Sequence, residues 1–294
     1  MRETACQFSI VVPTYDRPVQ LAECRASLAT LTYPRDRFEV IVGDDGSPTP
    51  VALPPLAPDF RATVLRTPNG GPGAARNAGA AVARGRHLAF TDDDCRPAPG
   101  WLGGFDACFR ERPDHLAGGR TVNRLAANPW STTSQVIQDL AYAYYNADPG
   151  APRFFASSNF AVPTERFRTL GGFLADDLRV AAEDRDLCDR WRHAGFGLAW
   201  APDAVVEHAH PLGLAGFCRQ HFRYGRGAMR YHALRARRGS GRLRQDVGFY
   251  ARLPSLARAR LAALDRRQAV QVAGGLVLWQ VCNTAGYVWE RWRT

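Results

Sequence analysis

The chain contains no lysine: all 38 basic residues among its 294 are arginine, set against 28 acidic residues, for a net charge of +10. A positive charge built from arginine alone favours planar, bidentate contacts to phosphate and carboxylate over point-charge contacts. Paired cysteines are also missing. Cys6, Cys24, Cys95, Cys108, Cys188, Cys218 and Cys282 are dispersed, with no CxxC and no zinc-type spacing. That pattern argues against a disulfide framework and predicts reduced thiols in a cytosolic setting. No basic stretch leading into a long apolar run opens the chain, so no secretory signal is expected. There is no internal repeat. A strongly apolar span is lacking too. Gln268–Trp289 is uncharged for 22 positions, but Gln271, Gln280, Asn283, Thr284 and three glycines dilute it. Such a segment predicts a buried or membrane-interface helix in preference to a bilayer span.

What is present is a chain able to bury a sizeable core, with 46% hydrophobic and 11% aromatic residues. Its charge is uneven. Between Arg219 and Arg267 stand 14 arginines and only two acids, Asp246 and Asp265, whereas the remainder carries 24 arginines and 26 acids. A near-neutral body followed by a basic segment predicts a main domain over residues 1–212, divided at about 115, and a basic helical extension over 213–294. The extension would suit anionic lipid headgroups. No nucleic-acid motif accompanies the arginines, so no specific nucleic-acid partner is expected.

Strand and helix patterns alternate through the first hundred residues. Phe8–Pro13, Val40–Val42, Ala62–Leu65 and His87–Thr91 read as strands, Arg17–Leu31 and Gly73–Arg84 as helices, and Pro48–Pro58 as a proline-rich loop. This alternation predicts a parallel α/β sheet. Further on, Ala156–Val162 reads as a strand, Glu165–Leu170 and Glu183–Ala194 as helices, and Leu198–Ala201 and Ala204–Val206 as two short strands leading to His208.

Three polar motifs follow strand candidates: Asp44-Asp45, the glycine-rich loop Asn69–Gly73, and Asp92-Asp93-Asp94. Ligands of open α/β sheets bind beyond the carboxyl ends of strands. Three adjacent carboxylates repel one another unless a cation or hydrogen bonds offset the charge, and carboxylate oxygens suit Mg2+ or Mn2+ shared with phosphate. A glycine-rich loop opening a helix attracts anions. Gly71-x-Gly73 begins a dinucleotide fingerprint, but Arg76 occupies the third glycine place and three aspartates stand where one ribose-binding acid is needed.

Taken in order, Ser9-Ile10-Val11-Val12-Pro13-Thr14-Tyr15-Asp16-Arg17, Val40–Ser47, Gly71–Gly79, Phe90–Asp94, Ser157–Val162, Gly171-Gly172-Phe173 and Glu183–Cys188 resemble the signature of family 2 glycosyltransferases over residues 8 to 210. Arg223-Tyr224-Gly225-Arg226-Gly227 is the most pattern-like piece of the looser C-terminal part. The resemblance implies a GT-A (Rossmann-like) α/β fold, a mixed but mostly parallel sheet flanked by helices. It implies an inverting, metal-dependent transfer from a nucleoside-diphosphate sugar to an unidentified acceptor, with uridine diphosphate favoured over guanosine or thymidine diphosphate.

The same resemblance implies roles. Pro13, Thr14, Tyr15, Asp44, Asp45, Gly73, Arg76, Asn77, Asp92 and Asp93 would face the nucleotide sugar. Asp94, with Asp92 and His208 (alternatively His210), would hold Mn2+ or Mg2+. Asp184 would be the catalytic base, with Glu183 and Asp186 as alternatives; on spacing alone these are acids favoured at a helix N-terminus. Asn159 and Trp191 would meet the acceptor. Arg190-Trp191 is similar to part of the polymer-gripping motif of processive synthases, but Leu187 replaces its glutamine, which favours non-processive transfer. Envelope glycan or glycolipid synthesis is the expected setting, at a cytoplasmic location that includes the membrane face. The competing reading is a non-catalytic nucleotide-sugar-binding or membrane-docking module.

Overall fold

The structure is a computed structural model that describes residues 6–53, 62–241 and 247–293. Residues 54–58 of the proline-rich loop, and Arg242, Arg244 and Asp246 of the basic stretch, lie outside the described residues. The elements begin as β1 (Phe8–Thr14), α1 (Pro18–Leu28), β2 (Phe38–Asp44), β3 (Ala62–Arg66), α2 (Pro72–Val82), β4 (His87–Thr91), β5 (Cys95–Pro97) and α3 (Trp101–Glu111). They continue as β6 (Leu116–Asn123), α4 (Pro129–Tyr145), β7 (Asn159–Pro163), α5 (Thr164–Thr169), α6 (Glu183–His193), β8 (Leu198–His208), α7 (Leu214–Arg238), α8 (Val247–Leu261) and α9 (Arg266–Arg293).

The strands form one sheet in the order β3-β2-β1-β4-β7-β6-β8-β5. The pairs β1–β2, β1–β4, β2–β3 and β6–β8 are parallel; β7 runs antiparallel to β4 and β6, and β5 antiparallel to β8. Helices cover both faces, so β1, β2 and β4 are buried throughout and read as unbroken apolar runs. The two-residue strand period divides their side chains. Ile10, Val12, Val40 and Val42 pack with Leu21, Cys24 and Leu28 of α1 and Trp101 and Phe105 of α3. Val11, Ile41, Leu88 and Phe90 pack on the opposite face with Phe167 of α5 and Leu187 and Trp191 of α6.

The sequence pattern of two short strands before His208 resolves into the single strand β8, with an irregularity. Gly119 of β6 pairs with Ala201, but the next residue, Arg120, pairs with Val205. Asn159 fills this break. Its amide donates to the carbonyls of Arg120 and Ala204 (both 3.0 Å), and its oxygen accepts from Trp101 Nε1 (2.8 Å). Asn159 is wholly buried, and these bonds turn it into the scaffold instead of toward an acceptor.

The C-terminal helices are not separate in packing from the main body. Val136 and Leu140 of α4 share a core cluster with Phe217 of α7, Phe249 of α8, and Val272, Leu276 and Trp279 of α9, so this core draws on both sides of residue 212. Helices α7 and α9 cross closely through glycines. A Cβ at Gly225 would lie 1.9 Å from the Asn283 carbonyl oxygen, and one at Gly286 would lie 1.9 Å from that of Phe222. Buried Glu290 of α9 adds ion pairs to Arg226 (2.6 Å) and Arg230 (2.5 Å) of α7. Among the described residues, no helix is long and apolar enough to cross a membrane.

A glycine-to-alanine change inside an exposed helix ordinarily stabilises by about 1 kcal/mol. Gly225→Ala and Gly286→Ala should do the reverse, lowering stability by about 1–3 kcal/mol through overpacking against backbone. Thermal and urea unfolding of each variant, alongside Gly274→Ala, whose added Cβ would meet no atom within 4 Å, measures the difference.

Candidate active site

The polar motifs gather where β1, β2 and β4 end, at the crevice between β1 and β4 where the strand order reverses. The three aspartates have different sets of partners, although Asp93 and Asp94 share Arg17. Asp92 is paired by Arg76 (2.5 Å). Asp93 accepts from Thr14 Oγ1 (2.7 Å) and Arg17 (2.7 Å), and burial pushes its carboxyl up to about 6 despite Arg17. Asp94 accepts from Arg17 (3.0 Å) and sits against two histidines, with its Oδ1 3.2 Å from His208 Nε2 and its Oδ2 2.8 Å from His210 Nδ1. Burial opposes charge on Asp94, but His208, His210 and Arg17 together hold its carboxyl well below the usual range. In return, Asp94 raises the His208 imidazole against the effect of burial.

The chemistry of these donors fits a divalent ion of the Mn2+ or Mg2+ type. Asp94, Cys95 and His208 bring possible ligand atoms within 4.8 Å of one another. Burial and Asp94 push the Cys95 thiol far up, which disfavours the thiolate that binds metal. Asp94 and His208 are therefore the better pair. His210 is differently placed: its Nδ1 meets Asp94 and its Nε2 meets Gln220 Oε1 (2.7 Å) on α7, so it braces the carboxylate from behind. Asp92 stands outside this group, with one oxygen on Arg76.

The carboxylates of the second half lie at the start of α6, after Ala182, which takes a left-handed conformation (φ 75°). Glu183 is bound to Arg76 (3.1 Å). Arg76 is buried and reaches Asp92 with its other terminal nitrogen, so one guanidinium joins the aspartate triplet to α6. Asp184 is half-buried; its Oδ1 accepts from its neighbour Arg185 N–H (2.7 Å) and its Oδ2 from Ser157 N–H (3.4 Å). Burial, reinforced by Glu183, pushes the Asp184 carboxyl up to about 6. That is a useful value for a group that must accept a proton near neutrality.

Several residues expected at the ligand are occupied by the fold. Asp45 accepts from the backbone N–H groups of Gly70 (2.7 Å) and Gly71 (2.9 Å) and from Asn69 Nδ2 (3.2 Å), so the anion held by the glycine-rich loop is the protein's own carboxylate. Asp44 closes its turn, accepting from Ser47 N–H (2.9 Å). Asn77 exchanges hydrogen bonds with the Phe173 backbone (2.7 and 2.9 Å). Arg76 is engaged by two carboxylates, Asp92 and Glu183. Asp186, wholly buried, is bound to Arg190 (2.7 Å) and Arg238 (2.9 Å), which removes it as an alternative base. Trp191 is wholly buried in the core and cannot meet an acceptor. Pro13 is buried beside Gly43, while Tyr15 is exposed at the mouth and Gly73 opens α2 facing Phe173, Ala175 and Glu183.

Three participants carried no role in the sequence pattern. Arg17 follows the Thr14-Tyr15-Asp16 turn and binds two of the aspartates. Gln220 and Tyr224 stand one helical turn apart on α7. Gly227, on the same face, is packed so closely that a Cβ would lie 2.5 Å from the Ala181 carbonyl oxygen, just before α6. Tyr224 thus lies between the His210 brace and the Glu183–Asp184 pair; its ring is exposed, while its hydroxyl is pushed up by local desolvation and then by Asp184, Glu183, Asp92 and Asp94. The Arg223–Gly227 pattern was the one available signal for it.

Comparison with known proteins agrees with this geometry. The sheet and its helices have the GT-A architecture. The mannosyltransferase PcManGT from Pyrobaculum calidifontis, solved in complex with GDP-Man and Mn2+, superposes with a TM-score of 0.66 at 21% identity, covering 98% of this chain and 88% of that one. Staphylococcus aureus TarS 1–349 in complex with UDP-GlcNAc does so with a TM-score of 0.53 at 16% identity, covering 96% and 89%. Residues 9–170 match the model for glycosyl transferase family 2, and the chain belongs to that family. The pre-mycofactocin glycosyltransferase of Mycobacterium tuberculosis is 30% identical over 231 residues, which are 75% of this chain but 46% of that protein, so the chain spans about half its length. Glycosyltransferase AglE of Haloferax volcanii is 24% identical over 249 residues, covering 77% of this chain and 74% of AglE.

Removing the Arg76 guanidinium leaves Asp92 and Glu183 facing each other without a counter-charge. Arg76→Met should lower stability by about 3 kcal/mol, the usual scale for breaking a buried ion pair from one side. Urea unfolding at pH 7 measures this, and addition of Glu183→Gln should restore part of the loss.

Proposed function

We propose that the chain is a metal-dependent, inverting and non-processive glycosyltransferase that moves a sugar from a nucleoside-diphosphate donor to an acceptor hydroxyl. The observation that carries this reading is Asp184, raised to about 6 by burial and Glu183 and tied through Glu183 and Arg76 to the aspartate triplet. Asp184 takes the proton from the acceptor hydroxyl as that oxygen attacks the anomeric carbon. Tyr15 at the mouth and Asp92, through its oxygen not bonded to Arg76, face the donor. Asp94 and His208 would hold Mn2+ or Mg2+, which when bound offsets negative charge on the departing nucleoside diphosphate. The related folds solved with GDP-Man and with UDP-GlcNAc support a nucleotide-sugar donor and leave uridine and guanosine as the bases to test first.

The location we propose is the surface of an anionic membrane, in envelope glycan or glycolipid synthesis. Support comes from α9. Val270, Val277, Val281, Val288 and Trp292 are exposed at spacings that place them on one stripe, while Val272, Leu276 and Trp279 face the core. Exposed arginines, Arg266, Arg267, Arg291 and Arg293, stand at its two ends. An apolar stripe with basic ends suits insertion into an anionic headgroup region.

Asp184→Asn should reduce kcat by about a hundred- to ten-thousand-fold, the range for loss of a general base. In the wild type, activity should fall below about pH 6 as Asp184 becomes protonated. The stability effect has the opposite sign. A carboxyl raised above its unfolded value favours the fold at low pH, and this contribution is lost as pH rises through about 6. Asp184→Asn should therefore have a higher Tm than wild type at pH 8, with UDP or GDP binding retained. Unchanged turnover in this variant would reject Asp184 as the base. For the membrane, the wild type should cosediment with vesicles containing phosphatidylglycerol but not with pure phosphatidylcholine, and Val277→Asp with Val281→Asp should abolish it; a protein that sediments with neither sinks the proposed location.

A further inference from the structure

A cavity of 280 Å³ opens beside the candidate base, lined by Tyr145, Arg153, Phe154, Arg185, Asp189, Arg192, Tyr231, Arg235 and Ser240. Three of these, Arg185, Asp189 and Arg192, recur along one face of α6 beginning with the residue that follows Asp184. Phe154 lies three residues before Ser157, whose N–H binds Asp184. The cavity therefore runs along α6 from its first turn, the turn that carries Asp184.

Its lining is strongly cationic. Asp189 is its one carboxylate among the described residues, and that charge is already matched by Arg235 (3.2 Å) and Arg238 (2.9 Å), with Ser240 bonded to it as well. Arg153 and Arg192 form no ion pair among the described residues. Three of its four guanidinium groups lie over aromatic rings. Arg153 lies over Tyr144 and Tyr145 (5.6 and 5.2 Å), Arg185 over Tyr145 and Tyr231 (5.5 and 4.8 Å), and Arg235 over Tyr231 (5.2 Å). A guanidinium stacked on a ring keeps its N–H donors directed outward in its plane, the arrangement that grips phosphate oxygens bidentately. The volume falls just below the range of pockets that enclose a whole drug-sized ligand, so it fits one charged group of a larger molecule.

We propose that this cavity is an anion subsite for the acceptor, taking a phosphate monoester or diester and so placing the acceptor's hydroxyl at Asp184. The inference rests on the glycosyltransferase reading and narrows its acceptor to a phosphate-bearing one. The phosphate could belong to a lipid carrier or to a water-soluble molecule, and the chemistry of the site is the same for both.

The test uses the full chain and the variant combining Arg153→Ala and Arg192→Ala. Isothermal titration follows inorganic phosphate, geranyl phosphate below its micelle concentration, and uncharged geraniol, each in the presence of saturating UDP or GDP with Mn2+. Geranyl phosphate should bind the wild type, geraniol should not, and the double substitution should weaken phosphate binding at least tenfold. Geranyl phosphate binding tenfold or more tighter than inorganic phosphate assigns the subsite to a lipid-linked acceptor; a smaller difference assigns it to phosphate itself. Absence of binding by both phosphates, or binding indifferent to the double substitution, overturns the proposal. The nucleotide titration on the same samples reports separately on the donor site: its failure bears on the glycosyltransferase reading, and its success with no phosphate binding rejects the subsite alone.

Discussion

Arg76 lies buried between Asp92 and Glu183, and the arrangement of the site turns on that guanidinium. Carboxylates brought together in a cleft of low dielectric repel strongly, and folding them there requires a counter-charge or enough hydrogen bonds to replace it. The chain uses both. Arg17 and Thr14 hold Asp93, Arg17 and two histidines hold Asp94, and Arg76 holds Asp92 and Glu183 together. Among the described residues, Asp184 is the member without a cationic partner of its own, having two backbone N–H groups instead. Burial raises both Asp93 and Asp184, but Asp93 is bound by Arg17 while Asp184 is held by backbone alone.

The C-terminal helices belong to this arrangement. Gln220 reaches back to His210, and through it to Asp94, while Gly227 lets α7 lie directly on the backbone ahead of α6. Gly225 and Gly286 seat α9 on α7, so the helix with the exposed apolar stripe is rigidly connected to the helix that braces the metal-type ligands. A surface engaged by α9 is thereby held at a fixed position relative to the cleft. The arginine-lined cavity draws its walls from both α6 and α7.

Much of the fold was legible in the residues. Fully buried parallel strands are apolar on both faces, so Phe8–Pro13, Val40–Val42 and His87–Thr91 were legible, within one or two residues of the observed ends. The polar motifs at their ends followed from the same logic. The second half of the sheet was harder because its pairing is mixed and its parallel β6–β8 pair is broken. Nothing local distinguishes two short strands from the bulged β8, since the break is completed by Asn159 from another strand. Arg76, Asn77, Asn159 and Trp191 stood inside recognisable motifs, yet their side chains serve packing and ion pairing; a motif marks where a residue lies in the chain and not which way it faces.

The sequence by itself determined the alternation of strands and helices, the gathering of acidic motifs at strand ends and the basic character of the last third, because these depend on local periodicity and composition. Only the tertiary structure decided which carboxylates are matched and which are raised. It brought Arg76 to Glu183 across more than a hundred residues, turned the glycine-rich loop onto Asp45, set His210 behind Asp94, and stacked scattered arginines on tyrosines around one cavity. The physical reason is that charge pairing and desolvation depend on distance in space and on burial, and neither is a property of neighbouring residues in the chain.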